Sequence, residues 1–193
     1  MANIAVLASG SGTNFQKIGE FFQGHKKHKV KLMLCDRKAA GVFSRAINLG
    51  IPAIYIPYFG RDKSEVESDI TQELEKNHID LVVLAGFMRI LSEDFVNRWH
   101  GKVVNIHPSL LPRHPGAHGI LDSWSSNDGE LGISIHWVDQ GMDTGSIIRQ
   151  KAFTRTPGMS LKDTEQKIHA LEYEVYPQVI LELCDTFDKK DRK

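Results

Sequence analysis

The sequence predicts a doubly wound α/β fold, in which a twisted, mixed but mostly parallel sheet carries helices on both faces. Strand-like and helix-like patterns alternate from the first residues onward, which is typical of this class. The run at residues 81–85 is apolar throughout, and such runs indicate strands that are covered on both faces, as in parallel sheets. In folds of this kind, ligands bind at the carboxyl ends of the strands.

The first half of the chain contains four predicted strand–helix units. Predicted strands cover residues 3–9, 30–35, 51–56 and 81–85, and predicted helices start near Thr13 and cover residues 39–49, 62–78 and 92–99. Gly50 follows the second of these helices and suits the left-handed position at a helix C-terminus.

The second half of the chain is less regular. The pattern predicts strands at residues 102–106, 131–138 and 146–153, a loop rich in proline and histidine at 107–118, and a loop at 139–145. Ser160 and Asp163 resemble a capping box ahead of a long final helix, in which Pro177 is expected to cause a kink. We expect a single domain over residues 1–187, followed by a charged tail at 188–193.

Composition restricts the partners and the compartment. Lysine plus arginine and aspartate plus glutamate both number 24, so the net charge is zero, which argues against a nucleic-acid partner. We recognise no signal peptide and no run of the roughly 20 apolar residues that cross a bilayer, so we expect a cytoplasmic protein without a membrane partner. We expect a monomer or a homodimer. Cys35 and Cys184 lack metal or redox spacing and are expected to be buried thiols.

A turn rich in glycine separates the first strand from the first helix. Glycines let the backbone turn tightly, and the free N–H groups at a helix start attract an anion, so residues 10–14 predict a phosphate site. The dinucleotide fingerprint would need a third glycine where Phe15 stands, and the lysine of a P-loop is missing. A tight turn without a ligand remains the alternative.

A second candidate site lies at the end of the fifth predicted strand. Asn105 and His107 are two residues apart, so their side chains project to the same side, where an amide and an imidazole could stabilise an oxyanion. Asp143, in a loop between glycines, could orient His107 and favour its imidazolium form. The alternatives are structural: Asn105 as a loop cap, and His107 and Asp143 as hydrogen-bonded turn residues.

Topology predicts where these residues meet. The loops after Ser9, Ala85, Ile106 and Val138 are expected to share one rim of the sheet, at the carboxyl ends of its strands.

Histidines also raise the question of a metal site. His107, His114 and His118 share one loop, but Pro115 and Gly116 interrupt the helix that would present the last two on one face. We therefore expect no metal.

These motifs, in this order, resemble the phosphoribosylglycinamide formyltransferases, which are folate-dependent enzymes of purine synthesis. The matching segments are residues 8–14, 84–91, 105–112 and 132–136 and the loop that ends at Asp143. The resemblance covers almost the whole chain, its second and third segments are the most specific, and the chain length fits the stand-alone bacterial type. The fold that it implies is the Rossmann-like formyltransferase fold.

The resemblance also implies a reaction. The formyl group of 10-formyltetrahydrofolate, a co-substrate, would pass directly to the amine of 5-phosphoribosylglycinamide through a tetrahedral intermediate, in de novo purine synthesis and without a metal. Asn105 and His107 would stabilise the oxyanion. Asp143 would hold His107 protonated and relay a proton through water from the amine to the folate nitrogen.

Binding residues follow from the same resemblance, position by position. For the glycinamide substrate they are Gly12, Thr13 and Asn14 at the phosphate and Glu172, for which an exposed helical carboxylate is the alternative. For the folate they are Met88, Arg89, Ile90, Leu91 and Asn105, together with Lys63, which stands where the family has a basic residue facing the folate.

Other functions compete with this prediction. Formyltetrahydrofolate deformylase shares the asparagine–histidine–aspartate core and transfers the formyl group to water, but it usually begins with a regulatory domain, whereas a strand here starts at Asn3. Methionyl-tRNA formyltransferase carries an added C-terminal domain. From other classes, a nicotinamide oxidoreductase would use Asp36 for the ribose, and a non-catalytic nucleotide-binding module would not need Asn105, His107 or Asp143.

Overall fold

The structure, a computed structural model, describes the backbone of residues 1–190 and the side chains as far as residue 187; residues 191–193, the end of the predicted tail, lie outside the described residues. Within that part of the chain the strands are β1 (Asn3–Ala8), β2 (Lys29–Cys35), β3 (Ala53–Tyr55), β4 (Leu81–Leu84), β5 (Val103–His107), β6 (Glu130–Trp137) and β7 (Ile147–Thr154). The helices are α1 (Thr13–Phe22), α2 (Val42–Leu49), α3 (Lys63–Lys76), α4 (Glu93–Arg98), α5 (Gly119–Ser125) and α6 (Leu161–Lys190).

These strands form one sheet in the order β3-β2-β1-β4-β5-β6-β7. The pairs from β3 through β5 are parallel, whereas β6 runs antiparallel to β5 and β7 runs antiparallel to β6. The mixed, mostly parallel sheet is therefore confirmed. The change of direction at β6 matters for the site, because it sends the end of β6 toward the start of β5.

Helices cover both faces of the sheet, as predicted. Along β1 the side chains alternate between the two faces, so Ile4 packs in a core cluster with α1, α2 and α6, whereas Leu7 packs in a second cluster with α3 and α4. Both side chains are fully buried. The apolar run from Ile4 to Ala8 in β1 is thus explained by two cores, one on each face of the sheet.

The long helix α6 is tied to the centre of the sheet by Tyr176. This side chain is fully buried, and its hydroxyl lies 2.9 Å from the carbonyl oxygen of Leu84 and 3.1 Å from that of Val104. A buried hydroxyl is costly without such partners. The bonds therefore fix α6 against β4 and β5, the strands that lead into the loops of the candidate site.

The capping box before α6 is also confirmed. The Ser160 hydroxyl accepts the backbone N–H of Asp163 at 3.1 Å, and the Asp163 carboxylate accepts the backbone N–H of Ser160 at 3.3 Å. The helix continues to Lys190 and so enters the segment predicted as a charged tail. No helix among residues 1–190 has the length and apolar character of a membrane span. Both cysteines are buried, as predicted.

Two helix predictions differ from the structure. Helix α2 begins at Val42 rather than near residue 39, because the Ala40 N–H turns back to Arg37 and the Val42 N–H donates to the Gly10 carbonyl. Helix α5 was not predicted at all. Of its seven residues only Gly119 and Ser123 are buried, so it lacks the apolar stripe that reveals a helix in a sequence.

Candidate active site

A cavity of about 380 Å³ opens beside the ends of β4 and β5. Its wall combines residues 86–91, residues 105–108, the loop around Gly116, His136 of β6 and the loop at 141–143. Four of the predicted motif segments, at residues 84–91, 105–112 and 132–136 and the loop that ends at Asp143, therefore meet in one place. Concave, largely apolar cavities with a few converging polar groups are the usual form of a small-molecule site.

Asn105 and His107 both line this cavity, as their two-residue spacing in β5 predicts. Asn105 lies opposite His136 across the antiparallel β5–β6 pair. Its Nδ2 is 3.2 Å from Nε2 of His136 and 3.5 Å from Oδ1 of Asp143. The Nδ1 of His136 lies 2.8 Å from the Trp137 carbonyl oxygen, so Nδ1 carries a proton, and Nε2 faces both the Asn105 amide and the Asp143 carboxylate, which is 3.5 Å away.

His107 is buried between two acceptors. Its Nε2 lies 2.7 Å from the backbone carbonyl oxygen of His114, and its Nδ1 lies 3.3 Å from Oδ2 of Asp143. A carbonyl can only accept, so Nε2 carries a proton and donates it to His114. The ring is thereby fixed in orientation, with Nδ1 toward the carboxylate and the cavity.

Asp143 reaches the site by a route that differs from the prediction. The loop that carries it was expected to leave the sheet at the carboxyl rim, but β6 is antiparallel, and the Val138 N–H donates to the carbonyl of Val103 at the start of β5. From there the loop folds back over the sheet. Asp143, with a positive φ of 56°, accepts the backbone N–H of Gly116 at 2.8 Å.

The environment of Asp143 favours a carboxylate. Burial alone would raise its pKa, but His136, the Gly116 N–H and His107 lie against the carboxyl group and lower the pKa below the ordinary value. A charged acceptor is therefore present beside His107 at neutral pH. The structural alternative, in which Asp143 is only a turn residue, does not explain its contact with three separate segments of chain.

The predicted folate segment forms the apolar side of the cavity. Met88, Ile90 and Leu91 line it, and the first two are 58% and 61% exposed, which leaves apolar surface at the cavity for a ligand to cover. Arg89 also lines it, with its guanidinium 2.6 Å from the buried carboxylate of Asp36. Asp36 is thus engaged, which argues against its use for a nicotinamide ribose.

The glycine turn after β1 packs closely against α2. Gly12 precedes α1 with a positive φ of 77°, and a Cβ built there would lie 2.5 Å from Cγ2 and 2.9 Å from Cα of Val42. The Gly10 carbonyl accepts from the Val42 N–H and the Ser11 carbonyl from Arg45, so both turn toward α2. The N–H groups that begin α1, at Thr13 and Asn14, belong to the helix end that attracts anions.

Asn14 and Glu172 are 158 residues apart in sequence and meet in the structure. The Asn14 Nδ2 lies 3.1 Å from Oε2 of Glu172, and His169 Nδ1 lies 2.9 Å from the same oxygen. Glu172 is only 5% exposed, so the alternative of an exposed helical carboxylate is wrong. The hydrogen bond to Glu172 raises the pKa of His169, against the effect of burial. A cation is thereby favoured beside the first turn of α1.

Lys63 lies away from the cavity and, unlike Asn14 and Glu172, it is not joined to another predicted site residue. It begins α3, its side chain is 45% exposed, and its Nζ is 4.0 Å from Glu67. It is not among the residues that line the cavity. Its contact with folate stays a prediction.

Sequence reasoning missed three contributors to the site: His136, Gly116 and His169. Only His136 had a usable signal, because it ends the matching segment 132–136 and would face Asn105 once the antiparallel pairing is known. Among the described residues, no cluster of three or more histidine, cysteine, aspartate or glutamate side chains is arranged to hold a metal ion.

Known proteins share this arrangement of elements. Residues 2–180 match the family model described as Formyl transferase. The phosphoribosylglycinamide formyltransferase of Bacillus subtilis (strain 168) is 37% identical to the chain over 185 residues, which cover 95% of each protein. The chain belongs to the phosphoribosylglycinamide formyltransferase family.

Two solved structures of this family have the same fold. The phosphoribosylglycinamide formyltransferase of Streptococcus pneumoniae TIGR4 matches with a TM-score of 0.89 at 40% identity, over 95% of this chain and 99% of that one. Glycinamide ribonucleotide transformylase 1 of Geobacillus kaustophilus matches with a TM-score of 0.87 at 40% identity, over 93% and 96%. The predicted formyltransferase fold is therefore confirmed.

The packing of Gly12 gives a testable prediction for this member of the phosphoribosylglycinamide formyltransferase family. Gly12→Ala adds a Cβ that meets Val42 in a backbone conformation that L-residues disfavour, so the free energy of unfolding should fall by about 1–3 kcal/mol. Gly10→Ala is the matched control, because its added Cβ has no heavy atom within 4 Å, and it should change stability by less than about 0.5 kcal/mol. Urea denaturation measures both, and equal losses would contradict the packing argument.

Proposed function

We propose that the protein transfers the formyl group of 10-formyltetrahydrofolate, its co-substrate, to the amine of 5-phosphoribosylglycinamide, a step of de novo purine synthesis. The observation that carries the proposal is the convergence of Asn105, His107 and Asp143 at one wall of the cavity, in a chain of this family. We assign the reaction to the cytoplasm. The proposed chemistry needs no metal, and both substrates are small molecules, which suits a net charge of zero.

The reaction requires stabilisation of an oxyanion. The amine nitrogen forms a bond to the formyl carbon, and the carbonyl electron pair moves onto oxygen in the tetrahedral intermediate. The Asn105 amide offers a hydrogen-bond donor to the oxyanion. Its contact with Asp143, at 3.5 Å, is too long to be a strong hydrogen bond and leaves that N–H available. His107 adds charge. Its two ring nitrogens face the His114 carbonyl and the Asp143 carboxylate, and only the imidazolium form donates to both.

Collapse of the intermediate requires proton movement. The attacking amine must lose a proton, and the folate nitrogen N10 must gain one as its bond to the formyl carbon breaks. Asp143 is ionised beside the cavity, so it can accept the amine proton through a water molecule and pass it toward N10. Apolar walls around it exclude other water and strengthen these charge interactions.

We propose that the glycinamide substrate and the folate bind on either side of Asn105, His107 and Asp143. The phosphate would lie on Gly12 and the N–H groups of Thr13 and Asn14, with His169 as a nearby cation. Glu172, held by Asn14, would accept a hydrogen bond from the glycinamide substrate. The pterin of the folate would cover the apolar segment at residues 88–91, with Asn105 at its formyl group and Lys63 at its anionic part.

The first test is the dependence of the reaction on the amine. With both substrates present, absorbance should report tetrahydrofolate formation, and omission of phosphoribosylglycinamide should abolish it. Formylated glycinamide should appear in equal amount, measured by mass spectrometry. If folate is consumed at the same rate without the amine, the deformylase reaction replaces the proposal.

The second test concerns the coupling between His107 and Asp143. Asn105→Ala should lower kcat by about 10²–10³, the usual effect of losing one oxyanion donor, and His107→Ala should lower it by a similar factor because the positive charge near the oxyanion is lost. Asp143→Ala should act largely through His107, so the double variant should lose much less than the product of the two single losses. Each variant is assayed at saturating substrates, with circular dichroism as the folding control.

Multiplicative losses in the double variant would break the proposed coupling. A single variant with a near-normal rate would remove that residue from the mechanism.

A further inference from the structure

The carbonyl that orients His107 belongs to a strained residue. His114 has a positive φ of 56° and precedes Pro115. The left-handed conformation costs an L-residue roughly 1–2 kcal/mol, and the residue before a proline is normally held in an extended conformation. A conformation with two penalties persists only where surrounding contacts enforce it.

The His114 carbonyl gains from this conformation. Its oxygen lies 2.7 Å from Nε2 of His107, and it also accepts from the Ser109 hydroxyl at 3.1 Å. Any relaxation of the turn to negative φ would rotate the peptide groups on either side of His114. The bond to His107 is therefore sensitive to whatever holds the turn.

The side chain of His114 supplies an anchor outside the cavity. Its Nε2 lies 2.8 Å from Oδ2 of Asp128, which stands in the turn before β6, and Arg113 contacts the same oxygen at 3.0 Å. The His114 and Asp128 side chains are 19% and 20% exposed, so the pair is only partly screened by solvent. The hydrogen bond from His114 also lowers the pKa of Asp128.

We propose that His114 and Asp128 are positioning residues: their side-chain contact holds the left-handed turn that aims the His114 carbonyl at Nε2 of His107. With Nε2 engaged, the ring keeps Nδ1 toward Asp143 and the cavity. The inference rests on the role proposed for His107 in formyl transfer. It adds a pair of residues that do not line the cavity.

The effect on kinetics follows from this placement. Neither side chain lines the cavity, so the loss of their contact should leave both KM values within about twofold. A misdirected His107 should instead lower kcat, by about tenfold, because small errors in the placement of a reacting group are costly. Lower stability without a change in kcat would be the mark of an ordinary surface ion pair.

The experiment compares Asp128→Ala with Asp128→Asn. The alanine variant removes the acceptor for His114, whereas asparagine keeps a neutral oxygen in its place and should recover most of kcat. Glu182→Ala is the matched control, because it removes a carboxylate from an exposed ion pair with Arg149 on a different part of the surface. If Asp128→Ala does not fold, His114→Asn removes the same contact from the other side with a residue that tolerates positive φ.

The decisive readout is the ¹⁵N spectrum of the histidine rings, with the His107 signals assigned from His107→Ala. We expect Asp128→Ala to shift the His107 signals and lower kcat, with Asp128→Asn and Glu182→Ala close to the parent protein. Unchanged His107 signals would overturn the inference, as would a rise in KM with unchanged kcat. Shifted signals with a normal kcat would instead reject the role of His107, and the inference with it.

Discussion

The site depends on the carboxylate of Asp143 more than on any other group. Its two oxygens lie 2.8 Å from the Gly116 N–H, 3.3 Å from His107 and 3.5 Å from both Asn105 and His136. Three segments of chain, namely β5, β6 and the loop around Gly116, converge on this one charge. The Gly116 N–H, His107 and His136 stabilise the ionised carboxylate despite its burial, and it in turn fixes the direction of the groups that face the cavity.

This convergence requires the reversal of direction at β6. In a sheet that stayed parallel, the loop after β6 would have begun at the carboxyl rim, and His136 would not have faced Asn105. The antiparallel pairing places His136 opposite Asn105 and starts the Asp143 loop beside Val103, so that the loop must cross the sheet to reach His107. The doubly wound half supplies the phosphate turn, the apolar wall and β5 with Asn105 and His107, and the antiparallel extension supplies Asp143 and His136.

Local features could be predicted from the sequence because they depend on near neighbours. The shared direction of Asn105 and His107 follows from strand alternation, and the turn at Gly12 follows from its residue type. Contacts between distant segments could not be derived in this way. The pairing of Asn14 with Glu172 depends on how α6 crosses the sheet, and the route of Asp143 depends on a strand direction that periodicity does not encode.

The central claim is that the formyl carbonyl is polarised between Asn105 and His107, with Asp143 behind His107. The most direct measurement is a crystal structure with phosphoribosylglycinamide and a folate analogue in which carbon replaces N10, so that the formyl group cannot leave. The account predicts the formyl oxygen about 3 Å from Asn105 Nδ2 and within reach of the His107 ring, with the amine facing the formyl carbon. A well-ordered complex in which the formyl oxygen points away from both side chains would contradict it.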